Sequence, residues 1–115
     1  MRRDLLLIAE MIDAAEQACT LVSDVELDEL IADRQRRDAL LWNFTVLGEA
    51  ANQLEQSLKD RFPEIPWTQP SRLRNRVVHG YWSIDFGILH TTAVFQLPEF
   101  VEQLRTVLDV LTTQD

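Results

Sequence analysis

The 115-residue sequence has few of the residues that build unusual folds: one cysteine, three glycines and four prolines. A single cysteine, Cys19, excludes an intrachain disulfide and a multi-cysteine zinc site. We expect it to be a buried small hydrophobic residue in a reducing compartment. The scarcity of glycine argues against a fibrous or disordered chain. The length predicts one domain over residues 1–115.

Basic residues are also scarce, with 11 Lys+Arg against 19 Asp+Glu and a formal net charge of −8. This balance excludes a globally basic nucleic-acid-binding surface. The charge is uneven, however, because residues 65–84 contain three arginines and no acidic residue, which leaves −11 on the rest of the chain. The sequence therefore allows a small basic site on an acidic body.

No apolar run is long enough for a membrane span. Arg2 and Arg3 followed by Leu5–Ile8 resemble the start of a signal peptide, but Glu10 and Asp13 interrupt the run far short of roughly 20 residues. We therefore expect a cytoplasmic protein with no membrane contact.

Strand-type alternation is absent, and helical periodicity dominates. Three apolar seams have helical spacing: Leu5, Ile8, Ile12, Ala15, Cys19 and Val22; Leu40, Phe44, Leu47, Ala51, Leu54 and Leu58; and Ala93, Leu97, Phe100, Leu104, Val107 and Leu111. The second seam predicts a long helix over about 34–59, and we predict further helices over about 25–32 and from about Thr68 to about Gly80. Pro98 should kink the last seam or mark its start. The prediction is an all-α, four- to five-helix antiparallel up-and-down bundle.

The candidate site lies in residues 71–82. This stretch combines guanidinium groups for phosphate oxygens, an imidazole for proton transfer and rings for base stacking. Its members are Arg72, Arg74, Arg76, Asn75, His79, Tyr81 and Trp82. Two histidines 11 residues apart without organised carboxylates make a poor metal site, so no metal or other cofactor is expected.

An ideal helical wheel separates these groups. Arg74 falls within the apolar arc, whereas Asn75, His79 and Arg72 form a polar stripe, and Arg74 and His79 are roughly 140° apart. Joint action of Arg74 and His79 therefore needs a distorted helix or a second subunit.

Plainer explanations exist for each residue. Arg74 on an apolar arc would be a structural ion pair with Glu49, next to Gly48, where close approach of another backbone would explain a helical glycine. His79 would interact with the dipole at a helix C-terminus. His90 is expected to be an ordinary histidine with its hydrogen bonds satisfied.

The pattern of Arg74, four residues, His79, Gly80 and Tyr81, with Asn75 after the arginine, resembles the motif of the HEPN superfamily. More narrowly, it is similar to HepT-like ribonuclease toxins that are paired with a small nucleotidyltransferase antitoxin. The similarity covers most of residues 40–100. It includes the flanking segments 46–51, 62–67 and 81–85, and Leu97-Pro98.

This resemblance implies a homodimeric, metal-independent endoribonuclease whose two motifs face one cleft. His79 would be the general acid or base for attack of the ribose 2′-hydroxyl on the adjacent phosphate, and Arg74 would stabilise the phosphate charge. Asn75 and Glu49 would be supporting residues, and Arg72 and Arg76 would be auxiliary RNA phosphate contacts.

The resemblance also implies that Tyr81 contacts RNA and is the site where the antitoxin attaches AMP. Bulk and negative charge in a phosphate site would then neutralise the toxin. Two other classes of function stay open: a non-catalytic HEPN subunit that holds nucleotide or substrate for a nucleotidyltransferase, and a purely structural dimer.

Overall fold

Helices make up most of the computed structural model, which describes residues 2–78 and 83–113. In chain order they are α1 (Arg2–Val22), α2 (Leu27–Ala32), α3 (Arg34–Gln53), α4 (Gln56–Arg61), α5 (Thr68–Val78), α6 (Phe86–Phe95) and α7 (Leu97–Thr113). These two ranges contain no strand, which confirms the all-α prediction. Five of the helices have ten or more residues, in agreement with the predicted bundle of four to five helices. None of the described helices is long and apolar enough to cross a membrane.

The predicted seams form the core. Residues at helical spacing in α1, α3 and α7, among them Ile8, Leu40, Leu47, Leu104 and Leu111, are almost completely buried. Helix α3 packs against α1 on one side and α5 on another. The long central helix is therefore the support on which α5, with its three arginines, rests.

The prediction of one helix over residues 34–59 was wrong. Helix α3 ends at Gln53, and the extended backbone of Leu54 (φ −64°, ψ 144°) separates it from α4. The Glu55 N–H donates a hydrogen bond to Oδ1 of Asp4 at 3.3 Å, and the Asp4 side chain is buried. Leu54 and Leu58 are buried on both sides of the break. The apolar periodicity therefore continues through the break and gives no sign of it.

Two helix starts are defined by local chemistry. The second helix begins at Leu27, two residues later than predicted, where Glu26 and Glu29 form a capping box. Pro98 lies in the first turn of α7, where a missing N–H costs no helical hydrogen bond. Pro98 was expected either to kink the last helix or to mark its start, and in the structure it marks the start. Ala93, the first residue of the predicted seam, therefore belongs to the preceding helix α6.

The segment before α5 is held by Trp67. Its side chain is buried, and its indole Nε1 donates to the carbonyl oxygen of Phe62 at 2.8 Å. This bond closes the turn that contains Pro63 and Pro66, so the start of α5 is fixed to the bundle.

Candidate active site

Helix α5 carries every described arginine of the basic stretch. It begins at Thr68 as predicted and is described to Val78. Pro70 lies in its first turn, where it is tolerated. The predicted site residues His79 and Tyr81 lie outside the described residues, so the geometry below concerns Glu49 and the arginines and asparagine of α5.

Gly48 allows α5 to lie against α3. A Cβ atom at this position would overlap Cβ of Arg74 and would lie 2.6 Å from the carbonyl oxygen of Pro70. The Ser71 hydroxyl donates to the carbonyl oxygen of Gly48 at 3.3 Å. The close backbone approach expected from a glycine inside a helix is therefore confirmed, and it brings Arg74 to α3.

Arg74 pairs with Glu49. Its Nη2 lies 2.5 Å from Oε2 of Glu49, and the two side chains are 28% and 47% exposed. Its Nη1 donates to Oδ1 of Asn75 at 3.1 Å. Its Nε is buried and has no hydrogen-bond partner among the described residues. The guanidinium is thus fixed from two directions at a partly open position.

Arg74 has N–H donors that these contacts do not use. A guanidinium has five N–H donors. One N–H is directed to Glu49, one to Asn75, and the Nε–H is enclosed. One N–H on each terminal nitrogen is left without a described partner, and phosphate oxygens are acceptors for such groups.

The other two arginines of α5 are open. Arg72 and Arg76 are exposed, and neither forms an ion pair with any carboxylate in the described ranges. Asn75 is also exposed, but it bonds to Arg74, a contact that the helical wheel did not predict. The wheel does account for the separation of Arg74, which faces α3, from Arg72 and Arg76, which do not.

A cavity of about 450 Å³ lies on the other side of α5, against α3, α6 and α7. We call it the α5–α7 groove. It is lined by Phe44, Leu47, Pro66, Gln69, Pro70, Arg72, Leu73, Arg76, Thr92, Phe95, Gln96, Leu97, Glu99, Phe100 and Gln103. Sequence reasoning did not find it, because its wall from α6 and α7 is far from the motif in sequence. The exposed Phe95 next to the Leu97-Pro98 helix start was the available signal.

The remaining candidates have ordinary roles. His90 Nε2 lies 2.6 Å from the carbonyl oxygen of Val25, which confirms a histidine with a satisfied hydrogen bond. Cys19 is half-buried, and its thiol lies 3.7 Å from the Ala93 carbonyl oxygen. Burial, with the nearby Glu16 carboxylate as a smaller cause, raises the pKa of this thiol. The described ranges contain no group of three or more His, Cys, Asp or Glu side chains that could hold a metal ion.

Comparison with known proteins assigns the family. The profile of the family "Ribonuclease HepT-like" matches residues 11–107, which include both α5 and Glu49. The chain belongs to the HepT-like ribonuclease family. This membership places it among the ribonucleases, as the resemblance of residues 40–100 predicted.

Curated relatives agree with the HepT-like assignment. A protein of Thermococcus cleftensis named "Probable ribonuclease HepT" is 26% identical over 79% of this chain and 80% of its own length. Two proteins of Methanocaldococcus jannaschii named as candidate RNases are 21% and 24% identical, over 92% and 85% of this chain and 88% and 90% of their own lengths. No solved structure gives a significant match.

Proposed function

We propose that this chain is the ribonuclease toxin of a toxin–antitoxin pair and that it cleaves RNA without a metal ion. The observation that carries the proposal is how the guanidinium of Arg74 is held and which of its N–H groups are left without a partner. In a chain of the HepT-like family, this arginine is held by Glu49 and Asn75 with an N–H on each terminal nitrogen left for a phosphate.

The proposed chemistry is an intramolecular transfer at phosphorus. His79 accepts the proton of the ribose 2′-hydroxyl while the 2′ oxygen forms a bond to the adjacent phosphorus. The bond from phosphorus to the 5′ oxygen of the next nucleotide breaks, and that oxygen receives a proton from a protonated histidine. The products are a 2′,3′-cyclic phosphate and a 5′-hydroxyl. An imidazole with an ordinary pKa near 6.5 suits both proton transfers.

Arg74 acts on the charge. As the 2′ oxygen adds, negative charge grows on the two non-bridging phosphate oxygens, and a pre-oriented guanidinium stabilises that charge. Glu49 is a positioning residue in this scheme, because it holds Arg74 without touching the phosphate. Arg72 and Arg76 contact neighbouring phosphates.

The scheme needs two copies of the chain. Arg74 faces α3, and the wheel puts position 79 roughly 140° from it on an ideal helix. A homodimer with the two motifs facing one cleft supplies arginine and histidine to the same phosphate from different protomers. That histidine, protonated by the 2′-hydroxyl, then gives its proton to the departing 5′ oxygen.

The antitoxin of this proposal is a small nucleotidyltransferase that attaches AMP to Tyr81. The adduct adds an anionic phosphodiester and a nucleoside two residues after His79, where RNA phosphate has to bind. Intact mass of the chain co-produced with a neighbouring nucleotidyltransferase tests this step. We expect added mass in AMP units that disappears in Tyr81→Phe; an unchanged mass in the co-produced protein would contradict it.

Cleavage is tested with a conservative pair of variants. Arg74→Lys keeps the charge and a partner for Glu49 but loses the paired N–H groups. Arg105→Lys is the control, because Arg105 forms a comparable exposed pair with Glu16 at 2.6 Å. In EDTA, we expect Arg74→Lys to lose about 100-fold or more of the cleavage rate on single-stranded RNA and Arg105→Lys to retain it. Equal rates for the two variants would refute the role of Arg74.

A second candidate function is a non-catalytic subunit that holds nucleotide for a nucleotidyltransferase. The N–H groups of Arg74 that Glu49 and Asn75 do not use favour it, because they suit a nucleotide phosphate as well as an RNA phosphate. This candidate predicts ATP binding that Arg74→Ala abolishes and no RNA cleavage by pure protein at high concentration. Cleavage that depends on His79 excludes it.

A further inference from the structure

The α5–α7 groove has the dimensions of a small-ligand site. Its volume of about 450 Å³ lies within the roughly 300–1,000 Å³ typical of such sites. The inner part is apolar, with the buried side chains of Phe44, Leu47 and Phe100. Exposed residues of α5, α6 and α7 surround the opening. The groove can therefore enclose an apolar or aromatic group that enters from solvent.

The two sides of the opening differ in charge. Helix α5 contributes Arg72 and Arg76, which have no ion-pair partner in the described ranges. Helix α7 contributes the carboxylate of Glu99 and, one turn later, the amide of Gln103. A ligand that is anionic at one end and has hydrogen-bond donors at the other end matches this polarity.

Phe95 supplies an aromatic surface. Its side chain is 76% exposed, the largest exposed fraction among the large hydrophobic residues of the described chain, and it lines the groove. An exposed ring at the edge of an apolar pocket is a platform on which a flat ring can stack. Gln69, Gln96 and Gln103 also line the groove. Their side-chain amides form no hydrogen bond to another described residue.

We propose that the α5–α7 groove binds one nucleotide of the single-stranded RNA substrate, at a distance from the phosphate that is cleaved. The base stacks on Phe95 with its edge toward Glu99 and Gln103, and its phosphate contacts Arg72 and Arg76. This inference rests on the proposed ribonuclease function. It adds a base-recognition site to a helix whose opposite side holds Arg74.

The polarity of the groove also predicts which base is disfavoured. A carboxylate only accepts hydrogen bonds, so Glu99 favours adenine, cytosine and guanine, which have amino groups. Uracil has no amino group, and its one donor on that edge, N3–H, lies between two carbonyl oxygens that a carboxylate repels. We therefore expect uracil to bind most weakly.

A nucleotide fits these walls better than a protein helix does. A docking groove for an amphipathic helix presents a continuous apolar face. Here two arginines, three amides and one carboxylate interrupt the rim.

The test uses RNA that cannot be cleaved. Labelled 2′-O-methyl hexanucleotides of A, C, G or U lack the attacking hydroxyl, so fluorescence anisotropy measures binding alone. Phe95→Ser removes the stacking ring, and Val94→Ser is its matched control, since Val94 is exposed on the same helix and does not line the groove. We expect Phe95→Ser to weaken binding of the A, C and G oligomers about tenfold or more. Val94→Ser should change it less than twofold.

Two further variants separate the base from the phosphate. Glu99→Gln should bring the affinity for the U oligomer within about twofold of the others, because an amide also donates. Arg76→Gln should weaken all four oligomers alike, by about threefold to tenfold at low salt. Arg34→Gln, which removes a charge from an 82% exposed side chain at the start of α3, is the matched control.

The alternative outcomes distinguish failure of the groove proposal from failure of the ribonuclease proposal. Equal affinity for all four oligomers in the native chain, or no loss in Phe95→Ser, excludes base recognition in the groove. If sedimentation velocity shows that Phe95→Ser separates a dimer while RNA binding is unchanged, the groove is an interface between copies. If the groove variants weaken binding while the native protein leaves ordinary RNA uncut, nucleotide binding stands and the ribonuclease proposal fails.

Discussion

Arg74 combines a structural contact with the catalytic role that we propose for it. Its ion pair with Glu49 has the geometry of a structural contact, yet 28% of the arginine side chain and 47% of the glutamate side chain are exposed. Such a pair is weakly stabilising, because water screens both charges. In the proposed mechanism, the same contact orients the guanidinium for a phosphate. A partly exposed ion pair can therefore position the arginine while its guanidinium stays accessible to solvent.

This exposure predicts a small stability effect. Arg74→Ala should lower the free energy of unfolding by about 1 kcal/mol, well below the 3–5 kcal/mol lost when one partner of a fully buried pair is removed. Urea denaturation measures the change, and a double-mutant cycle with Glu49→Ala measures the coupling. A loss above about 3 kcal/mol with coupling of similar size would identify the pair as a structural core element.

The thiol of Cys19 should react slowly. Burial raises its pKa, and the Glu16 carboxylate acts in the same direction. Less thiolate is then present at any pH below the raised pKa, and the thiolate is the reacting form. We expect iodoacetamide to alkylate the folded protein more slowly at pH 8 than the urea-unfolded chain, and the rate to keep rising with pH after the unfolded chain has levelled off. Equal rates in the two states would contradict this account.

The contacts of individual residues were predictable where they depend only on which face of a helix the residue lies on. An arginine on the apolar arc and a glycine inside the neighbouring helix were enough to predict the Arg74–Glu49 pair and the close approach at Gly48. The bond from Arg74 to Asn75 was not predictable, because neighbours in sequence point about 100° apart on an ideal helix. Side-chain rotamers, which the wheel ignores, decide that contact.

At the scale of elements, the packing of α5 on α3 depends on the missing side chain at Gly48. Gly48→Ala improves helix propensity by about 1 kcal/mol but forces a Cβ against Arg74 and the Pro70 carbonyl group. We expect a net destabilisation of about 1–3 kcal/mol, since the backbone contact cannot relax as a flexible side chain can. Urea denaturation gives the value.

Gly87→Ala is the matched control for Gly48→Ala. A Cβ at this second helical glycine would lie 3.0 Å from Oδ1 of Asp85 and 3.6 Å from a methyl group of Leu27, both of them side-chain atoms. The change should cost less than 1 kcal/mol. If Gly48→Ala is as mild as Gly87→Ala, the close approach of α5 is not what requires the glycine.

Element boundaries were predictable only where the sequence interrupts the helix chemically. Pro98 allowed either a kinked helix or the helix start that α7 has, and Pro63 and Pro66 are incompatible with a helix interior in the loop before α5. The break between α3 and α4 has no such residue. It is sustained by the buried carboxylate of Asp4, about 50 positions away in sequence, and only the folded chain brings the two together.

At the scale of the whole molecule, the distribution of charge disfavours non-specific RNA binding over the surface and favours RNA binding at α5. The chain has −8 overall, whereas α5 has three arginines and no acidic residue. An acidic body resists indiscriminate adsorption of RNA. Affinity must come from α5 and, in the proposed dimer, from its second copy.

This distribution predicts weak, salt-sensitive binding that does not grow with RNA length. With two to three phosphate contacts per protomer, the slope of log K against log salt for single-stranded RNA should be about −2 per protomer. Anisotropy titrations of a hexamer and a 30-mer at several salt concentrations measure both properties. Much tighter binding of the 30-mer would show that the acidic surface does not limit contact with RNA.

The fold class was predictable because three apolar seams at helical spacing leave few ways to bury them. The basic stretch was predictable because its charge contrasts with the rest of the chain. The α5–α7 groove was not, because it forms between α5 and residues of α3, α6 and α7 that lie far from the basic stretch in sequence. Its polar rim looks in the sequence like an ordinary solvated helix surface.

The central claim, RNA cleavage by 2′-hydroxyl attack with His79 and Arg74, is tested most directly by mass spectrometry of the product ends. Purified protein is incubated with a single-stranded RNA in EDTA, alongside His79→Ala. We predict fragments that end in a 2′,3′-cyclic phosphate and begin with a 5′-hydroxyl, and none from His79→Ala although it is folded. Fragments with 5′-phosphate and 3′-hydroxyl ends, or undiminished cleavage by His79→Ala, would contradict the account.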